Sequence, residues 1–338
     1  MSISRRDLHK AKLRPNRIRQ EKHEQRATVP FPQDVPFDPV PELEHPFGAE
    51  RALWQIEALM EGEKFASVDQ ANARLEEMIG DGRLRDRARA WKQDDPKFRA
   101  QDLTYDALET EDLGEALRLI HEAMELDPDC TDAQRLMVAL LPTSVENRLH
   151  PMREVVEKAE RAMSEGFVQK NTGHFWGMVS TRPYMRAKQH LGELLAETGD
   201  LVGAIATFEQ MLKLNPKDNQ GMRSPLLGLY LATNQPEAAG HLMSLYEGEE
   251  RFDTCFAWAR VLERWLSGKT NDAKDALARA RKINRFCEPY LAGSRKLPRQ
   301  APEYYRPGDD SEAQVCATQL SVAVESHPAF REWLRAQS

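Results

Sequence analysis

Residues 185–216 read MRAKQHLGELLAETGDLVGAIATFEQMLKLNP, and the spacing of small, bulky and helix-breaking residues in this stretch decides the fold. With Met185 as position 1, Leu191 and Gly192 fall at 7 and 8, Ala204 at 20, Phe208 at 24 and Pro216 at 32. A small residue at 8 lets a first helix approach its partner closely. Alanine at 20 does the same from the second helix, where a larger side chain would push the pair apart. Phe208 fills the space between them, and Pro216 stops the second helix because proline disfavours helical geometry in the residue before it.

The same spacing recurs. Counting from Lys97, Leu103 is at 7, Ala116 at 20, Ile120 at 24, Ala123 at 27 and Pro128 at 32. Counting from Asn219, Ala238, Leu242 and Leu245 take positions 20, 24 and 27; counting from Thr254, Ala273, Leu277 and Ala280 take them. The last three units start at 185, 219 and 254, steps of 34 and 35 residues, and a stride of about 34 belongs to tetratricopeptide helix pairs. Helices of an ordinary bundle have no reason to repeat at that stride. The Asn219 unit departs at position 7, where Pro225 delays the first helix, and the Thr254 unit carries Arg260 and Val261 at 7 and 8. Residues 131–167 are looser, with Pro142 and Pro151 bracketing an irregular connection. No segment alternates with a period of two, so no strand is expected. The expected fold is all-α, a tetratricopeptide-type helical-hairpin solenoid with a basic N-terminal arm and a proline-rich strap.

The chain of 338 residues divides accordingly. Residues 1–27 form a basic arm, expected to be disordered, with nine Lys/Arg against three acids, a net +6 on a chain of formal charge −7. Residues 28–47 hold six prolines and read as an extended linker or strap. Residues 48–96 read as an N-terminal helical cap, 97–285 as the repeat array and 286–338 as a C-terminal capping segment. In the cap, Ala52, Leu53, Ile56, Leu59 and Met60 mark one apolar helix face. Ser67 and Gln70 stand at capping-box spacing. Cys130, Cys255, Cys287 and Cys316 include no CxxC pair and read as reduced, packed thiols. No apolar run approaches a membrane span and no apolar stretch follows the basic N-terminus, so a cytoplasmic protein without a membrane partner is expected.

Some residues do not follow from the repeat: Gly173-His174-Phe175-Trp176-Gly177, Thr181-Arg182-Pro183-Tyr184-Met185-Arg186-Ala187, Leu214-Asn215-Pro216-Lys217-Asp218-Asn219-Gln220-Gly221 and Pro289-Tyr290-Leu291-Ala292-Gly293, with Leu297-Pro298, Pro302-Glu303-Tyr304-Tyr305 and Pro307-Gly308 after it. These strings resemble a bacterial tetratricopeptide-repeat family with TRPYMRA and LNPxDNQG motifs, part of which is similar to the suppression-of-tumorigenicity-seven family of eukaryotes. The resemblance covers roughly residues 100–335. It implies a repeat scaffold and no settled activity.

Sequence signatures of catalysis are weak. His121-Glu122-Ala123-Met124-Glu125 has Glu125 where a zincin needs a second histidine. Gly268-Lys269-Thr270 ends like a phosphate-binding loop, but Glu263 occupies the upstream glycine position and no strand precedes it. Asp127, Asp129 and Asp132 lack the turn glycine of a calcium loop and read as caps for the next helix. No catalytic residue, metal site or cofactor is assigned, and the chain is read as a non-enzyme.

In a tetratricopeptide superhelix, the resemblance implies, positions 2, 5, 6 and 9 of each first helix line the concave groove. The candidate partner contacts are therefore Arg186, Gln189, His190, Gln220, Arg223 and Trp258. Arginine grips carboxylate or phosphate bidentately and tryptophan is a frequent interface anchor. In the competing reading, Arg186 and Arg223 pair with acids of neighbouring helices. Likewise His174, Phe175 and Trp176 form either a ligand contact or a packing plug. The Lys/Asn constellation that grips heat-shock-protein C-terminal tails is absent, so those tails are not expected partners. The expected function is a non-catalytic scaffold or adaptor that holds an unidentified protein or peptide. The alternative is contact with RNA or the ribosome through Arg5, Arg6, Lys10, Lys12, Arg14, Arg17 and Arg19 of the arm.

Overall fold

The computed structural model describes residues 47–80, 82–248, 251–298, 302 and 304–337. The basic arm, its candidate contacts Arg5, Arg6, Lys10, Lys12, Arg14, Arg17 and Arg19, and all of the strap except Phe47 lie outside the described residues. Every regular element among the described residues is helical. The chain divides into two compact units, one ending at Leu194 and the other beginning at Leu195.

The first unit holds α1 (Gly48–Leu59), α2 (Val68–Ile79), α3 (Leu84–Trp91), α4 (Pro96–Glu109), α5 (Leu113–Leu126), α6 (Thr131–Leu140), α7 (Val145–Ala162), α8 (Glu165–Asn171) and the start of α9 (Arg182–Glu197). Two 3-10 turns, Phe175–Gly177 and Val179–Thr181, precede α9. Helix starts follow local chemistry. The Ser67 hydroxyl accepts from the Gln70 backbone N–H at 3.2 Å, and the Gln70 side chain accepts from Ala66 N–H at 2.8 Å. This reciprocal cap is the one the sequence spacing predicts. Asp95 accepts from the N–H groups of Lys97 and Phe98, with Pro96 in the first turn. Asp112 caps α5 through Glu115 N–H.

The helices α4 and α5 pack along each other, followed by α5 on α6 and α6 on α7. Ala100, Ala116 and Ala123 are fully buried where the backbones come close, with Leu108 and Ile120 between them. The irregular connection expected between Pro142 and Pro151 is corrected, because α7 runs through Pro151. The proline removes one backbone donor, and burial of Met152, Val155 and Val156 just after it keeps the helix seated.

The second unit contains α10 (Leu201–Leu214), α11 (Arg223–Ala232), α12 (Pro236–Leu245), α13 (Thr254–Leu266), α14 (Thr270–Asn284), α15 (Cys287–Leu291), α16 (Asp310–Ser326) and α17 (Pro328–Arg335). Consecutive helices from α10 to α14 pack on one another, and α16 returns to lie against α11 and α13. Ala273, Leu277 and Ala280 are buried as their spacing requires, whereas Leu245 is exposed. Pro225 is the third residue of α11, inside the first turn, where no intrahelical donor is lost. Asp218 adopts a φ of +48° and Gly221 one of +76°, which turns the chain ahead of α11. The Asp218 carboxylate then accepts from Met222 N–H at 2.6 Å and from Arg223 N–H at 3.3 Å. The Leu214–Gly221 string thus encodes a helix entry.

Candidate functional site

On α4, Phe98, Gln101, Asp102 and Tyr105 are spaced three, four and seven residues apart and therefore share one face. They are positions 2, 5, 6 and 9 of the Lys97 unit, the positions expected to line a groove. In the first unit this face is joined by Asp132 and Arg135 of α6 and by Arg182 and Arg186 of α9. Gln101 donates to Asp132 at 3.2 Å, and Arg135 reaches Asp132 at 3.2 Å. Arg186 holds the same carboxylate through two guanidinium nitrogens, Nε at 3.0 Å and a closer Nη2 contact.

The face is occupied by the chain itself. Glu50 of α1 accepts from Arg186 Nη1 at 2.7 Å, from Arg182 Nη1 at 3.3 Å and from the Tyr105 hydroxyl at 2.9 Å. Next to it, Arg51 pairs with Asp102 at 2.6 Å and with Asp106 and Glu109 at 2.9 Å each. One turn further, the Trp54 ring stacks on Phe98 with centroids 4.1 Å apart and tilts against Tyr105 at 5.7 Å. The Arg186 guanidinium lies over the Phe47 ring at 5.8 Å.

The apolar stripe expected on α1 holds only in part. Ala52, Ile56, Leu59 and Met60 are partly buried, but Leu53 is 47 % exposed and the buried residues are Gly48, Glu50, Arg51 and Gln55. A helix normally turns its charges to water; here the charges point inward because the opposing face supplies their counterions. Periodicity within α1 could not signal this, since the counterions lie 51 to 136 residues away.

Electrostatics follow from burial and pairing. Burial works against the charge of Asp132, yet the guanidiniums of Arg186 and Arg135 outweigh it and hold the carboxyl well below the usual range. Burial likewise opposes the charge of Arg186, and Asp132 and Glu50 overcome it, so its pKa is raised. Arg135 goes the other way: burial dominates over Asp132 and lowers it. Burial and then Glu50 push the Tyr105 phenol up, so it stays a donor. The Cys130 thiol is pushed up to about 11, chiefly by burial, and is unreactive at neutral pH. Because the folded pKa of Asp132 is depressed, its stabilisation is complete above the unfolded value of about 3.9 and drains as pH falls from there through the folded value. Asp132→Asn should therefore be less stable than the wild type at pH 7, and the gap should narrow below about pH 4. Urea denaturation across a pH series would measure it; a gap that stays flat down to about pH 2.5 would show that Asp132 is not held ionised.

The other candidate contacts are also internal. Gln189 is buried and donates to Glu193 at 3.1 Å, and His190 is half-buried. Gln220 is buried. In the second unit, Arg223 reaches Asp218 at 3.4 Å and lies over the rings of Tyr246 and Phe256 at 4.7 and 5.3 Å. Trp258 is fully buried and donates Nε1–H to the Asn284 carbonyl at 3.1 Å. In this unit α16 packs on α11 and α13: Thr254 donates to Glu312 at 2.7 Å, and Asn284 donates to the same carboxylate at 3.2 Å. In place of the open groove expected at Arg186, Arg223 and Trp258, each of these side chains is engaged within the chain: Arg186 by α1, Arg223 by Asp218 and two rings, and Trp258 by the Asn284 carbonyl. Arg186 pairs with acids of neighbouring helices, as the competing reading has it, whereas Arg223 pairs with Asp218 of the turn ahead of its own helix.

Phe175 is fully buried, with edge contacts to Phe167 at 6.2 Å and Tyr184 at 6.1 Å, and the Arg182 guanidinium lies over Trp176 at 5.3 Å. Phe175 is therefore a packing plug, whereas Trp176 is half-buried and His174 is exposed. His121 and Glu125 form an exposed pair at 3.4 Å, as a solvated helix face would. Asp132, read as a cap, is instead the fully buried centre of the ion network. Among the described residues, no group of three His, Cys, Asp or Glu side chains is arranged to hold a metal ion. None of the described helices is long and apolar enough to cross a membrane. No protein-family model matches the chain, and no curated protein matches it.

Proposed function

We propose that the chain is a non-catalytic protein–protein interaction scaffold, a tetratricopeptide-type array whose first-helix face in the first unit holds a helix of a partner. One observation carries this reading. Side chains from three helices, α4, α6 and α9, converge on one charged and aromatic face, and that face grips another helix through ion pairs and ring stacking. A helix laid across a groove and read through anchors one turn apart is a recurring recognition mode. The fixed stride of the repeats and the burial of Ala100, Ala116 and Ala123 between α4 and α5 support the same reading.

Photo-crosslinking in the native cell tests it. A crosslinker at Gln101 or His190, on the face, should give discrete adducts with a partner protein. The same group at His121, on the exposed side of α5, should not. Adducts confined to His121, or absent from the face in every growth condition, would remove the scaffold reading from this surface.

A second reading rests on charge alone. The +6 arm of residues 1–27 would attract phosphates in a salt-sensitive, largely sequence-independent way. Deleting it should lower RNA retention in low salt, and unchanged retention would dismiss the arm as a nucleic-acid contact.

A further inference from the structure

We infer that α1 is an exchangeable occupant of the α4–α6–α9 face, and that the partner helix displacing it carries the same chemistry: an acid, an arginine immediately after it, and an aromatic residue three positions beyond the arginine. The inference rests on the scaffold reading and adds to it an occupant in cis and a recognition pattern.

Charges on the face are paired redundantly. If α1 is removed, Asp102 keeps Arg89, and Asp106 keeps both Arg85 and Arg89. Arg186 keeps Asp132, which also keeps Arg135 and Gln101. Arg182 keeps the Trp176 carbonyl at 3.0 Å. Each of these charges on the face therefore retains a partner when α1 leaves, while Glu50 and Arg51 return to water. An element of a folding core behaves oppositely, because withdrawing one member of a buried pair strands the other.

What α1 buries is mainly polar. It turns Glu50, Arg51 and Gln55 inward, leaves Leu53 47 % exposed, and buries Ala52, Ile56, Leu59 and Met60 only in part, packing beside α3. Ion pairs taken from water gain little net stability, since desolvation offsets attraction. Their contribution is specificity of register and partner. A seat made of one acid, one arginine and one ring, each with its own counterpart, discriminates among helices without holding any of them irreversibly. Tethering in cis gives α1 a high effective concentration, so a partner must match the pattern well to compete.

The exchange can be measured on the full chain in the absence of any partner, so its failure would leave the crosslinking test of the scaffold reading standing. A specific protease site placed in residues 61–66, between α1 and α2, is cut after folding. A fluorescent peptide of residues 47–60 is then added and followed by anisotropy, with circular dichroism recording helicity. The nicked protein should take up the peptide while keeping its remaining helices. Uptake should be at least tenfold tighter than in the uncut chain, and changing the peptide at Glu50→Gln and Trp54→Ala should weaken it at least tenfold. Doubling of mass by exchange of α1 between two copies would support the same conclusion, because the second copy then supplies the pattern in trans. In the uncut chain, Trp54→Ala should also raise peptide uptake. Two results would overturn the inference: peptide excluded at hundredfold excess from both the nicked and the Trp54→Ala proteins, or loss of the α4–α6 helices when the α1 fragment departs.

Discussion

Arg186→Met should destabilise the first unit by about 3–5 kcal/mol, the range for breaking a buried ion pair from one side. The methionine fills most of the same volume, so the loss is electrostatic rather than a cavity effect. Asp132, fully buried, would keep only Arg135 and Gln101, and Glu50 would keep only Arg182 and Tyr105. Arg135 is a poor replacement, because burial already disfavours its charge. Combining Arg186→Met with Asp132→Asn and Glu50→Gln should recover much of the loss, since no unpaired charge then remains. Arg186→Lys should fall between, keeping the charge but losing the forked grip on one carboxylate. Denaturant unfolding, with hydrogen exchange to localise the effect to α1, α4 and α6, would measure each variant. An Arg186→Met protein within about 0.5 kcal/mol of the wild type would mean that water already screens this network. The result also governs how partner-binding variants are read: loss of a partner after substituting Arg186 reports a collapsed face and not a missing contact.

The sequence carried the helices well and the occupant of the face not at all, for a physical reason. Small residues at fixed stride are a local code. Ala100, Ala116 and Ala123 need only the neighbouring helix to be informative, and all three are buried. Caps are more local still, and Ser67, Asp95 and Asp112 bond within three residues. The site depends on pairs such as Glu50 with Arg186, 136 residues apart, whose meaning arises only after folding. Apolar periodicity gives only part of α1 for the same reason. Ala52, Ile56, Leu59 and Met60 are partly buried, but Leu53 is exposed and Arg51, outside the stripe, is buried. Phe175 and the Asp218 turn stood out as departures from the repeat. Both prove to be joints between helices, as departures from a stride often are where a chain changes direction. The one clue to the site in the sequence was Glu50-Arg51 followed by Trp54 on a helix that also offered an apolar face, and nothing local ranks those alternatives.

Gly228→Ala should destabilise the second unit by about 3 kcal/mol, the upper end of overpacking costs, although alanine is the better helix former by about 1 kcal/mol. Gly228 lies within α11, where a Cβ would overlap the carbonyl oxygen of Gln319 on α16 and sit 3.3 Å from its carbon and 3.8 Å from Leu320 Cα. All three atoms are backbone, so no rotamer change relieves the contact and α16 must move. Its approach is close because it presents small side chains, Ala313, Cys316, Ala317 and Ala323, all buried. Displacing it pulls the Glu312 carboxylate away from Thr254 and Asn284, from which it accepts at 2.7 and 3.2 Å. The buried thiols of Cys255 and Cys316 would then open to solvent. Their labelling rate under native conditions should rise roughly a hundredfold, the factor that about 3 kcal/mol of lost local stability gives. Gly166→Ala is the matched control. That glycine is also helical, on α8, but no atom lies within 4 Å of its Cβ position, so the change should be neutral or stabilise by up to about 1 kcal/mol. If Gly228→Ala labelled no faster than Gly166→Ala, the close seat of α16 on α11 would be wrong. The seating of Thr254 against Glu312 of that helix would then have to be abandoned with it.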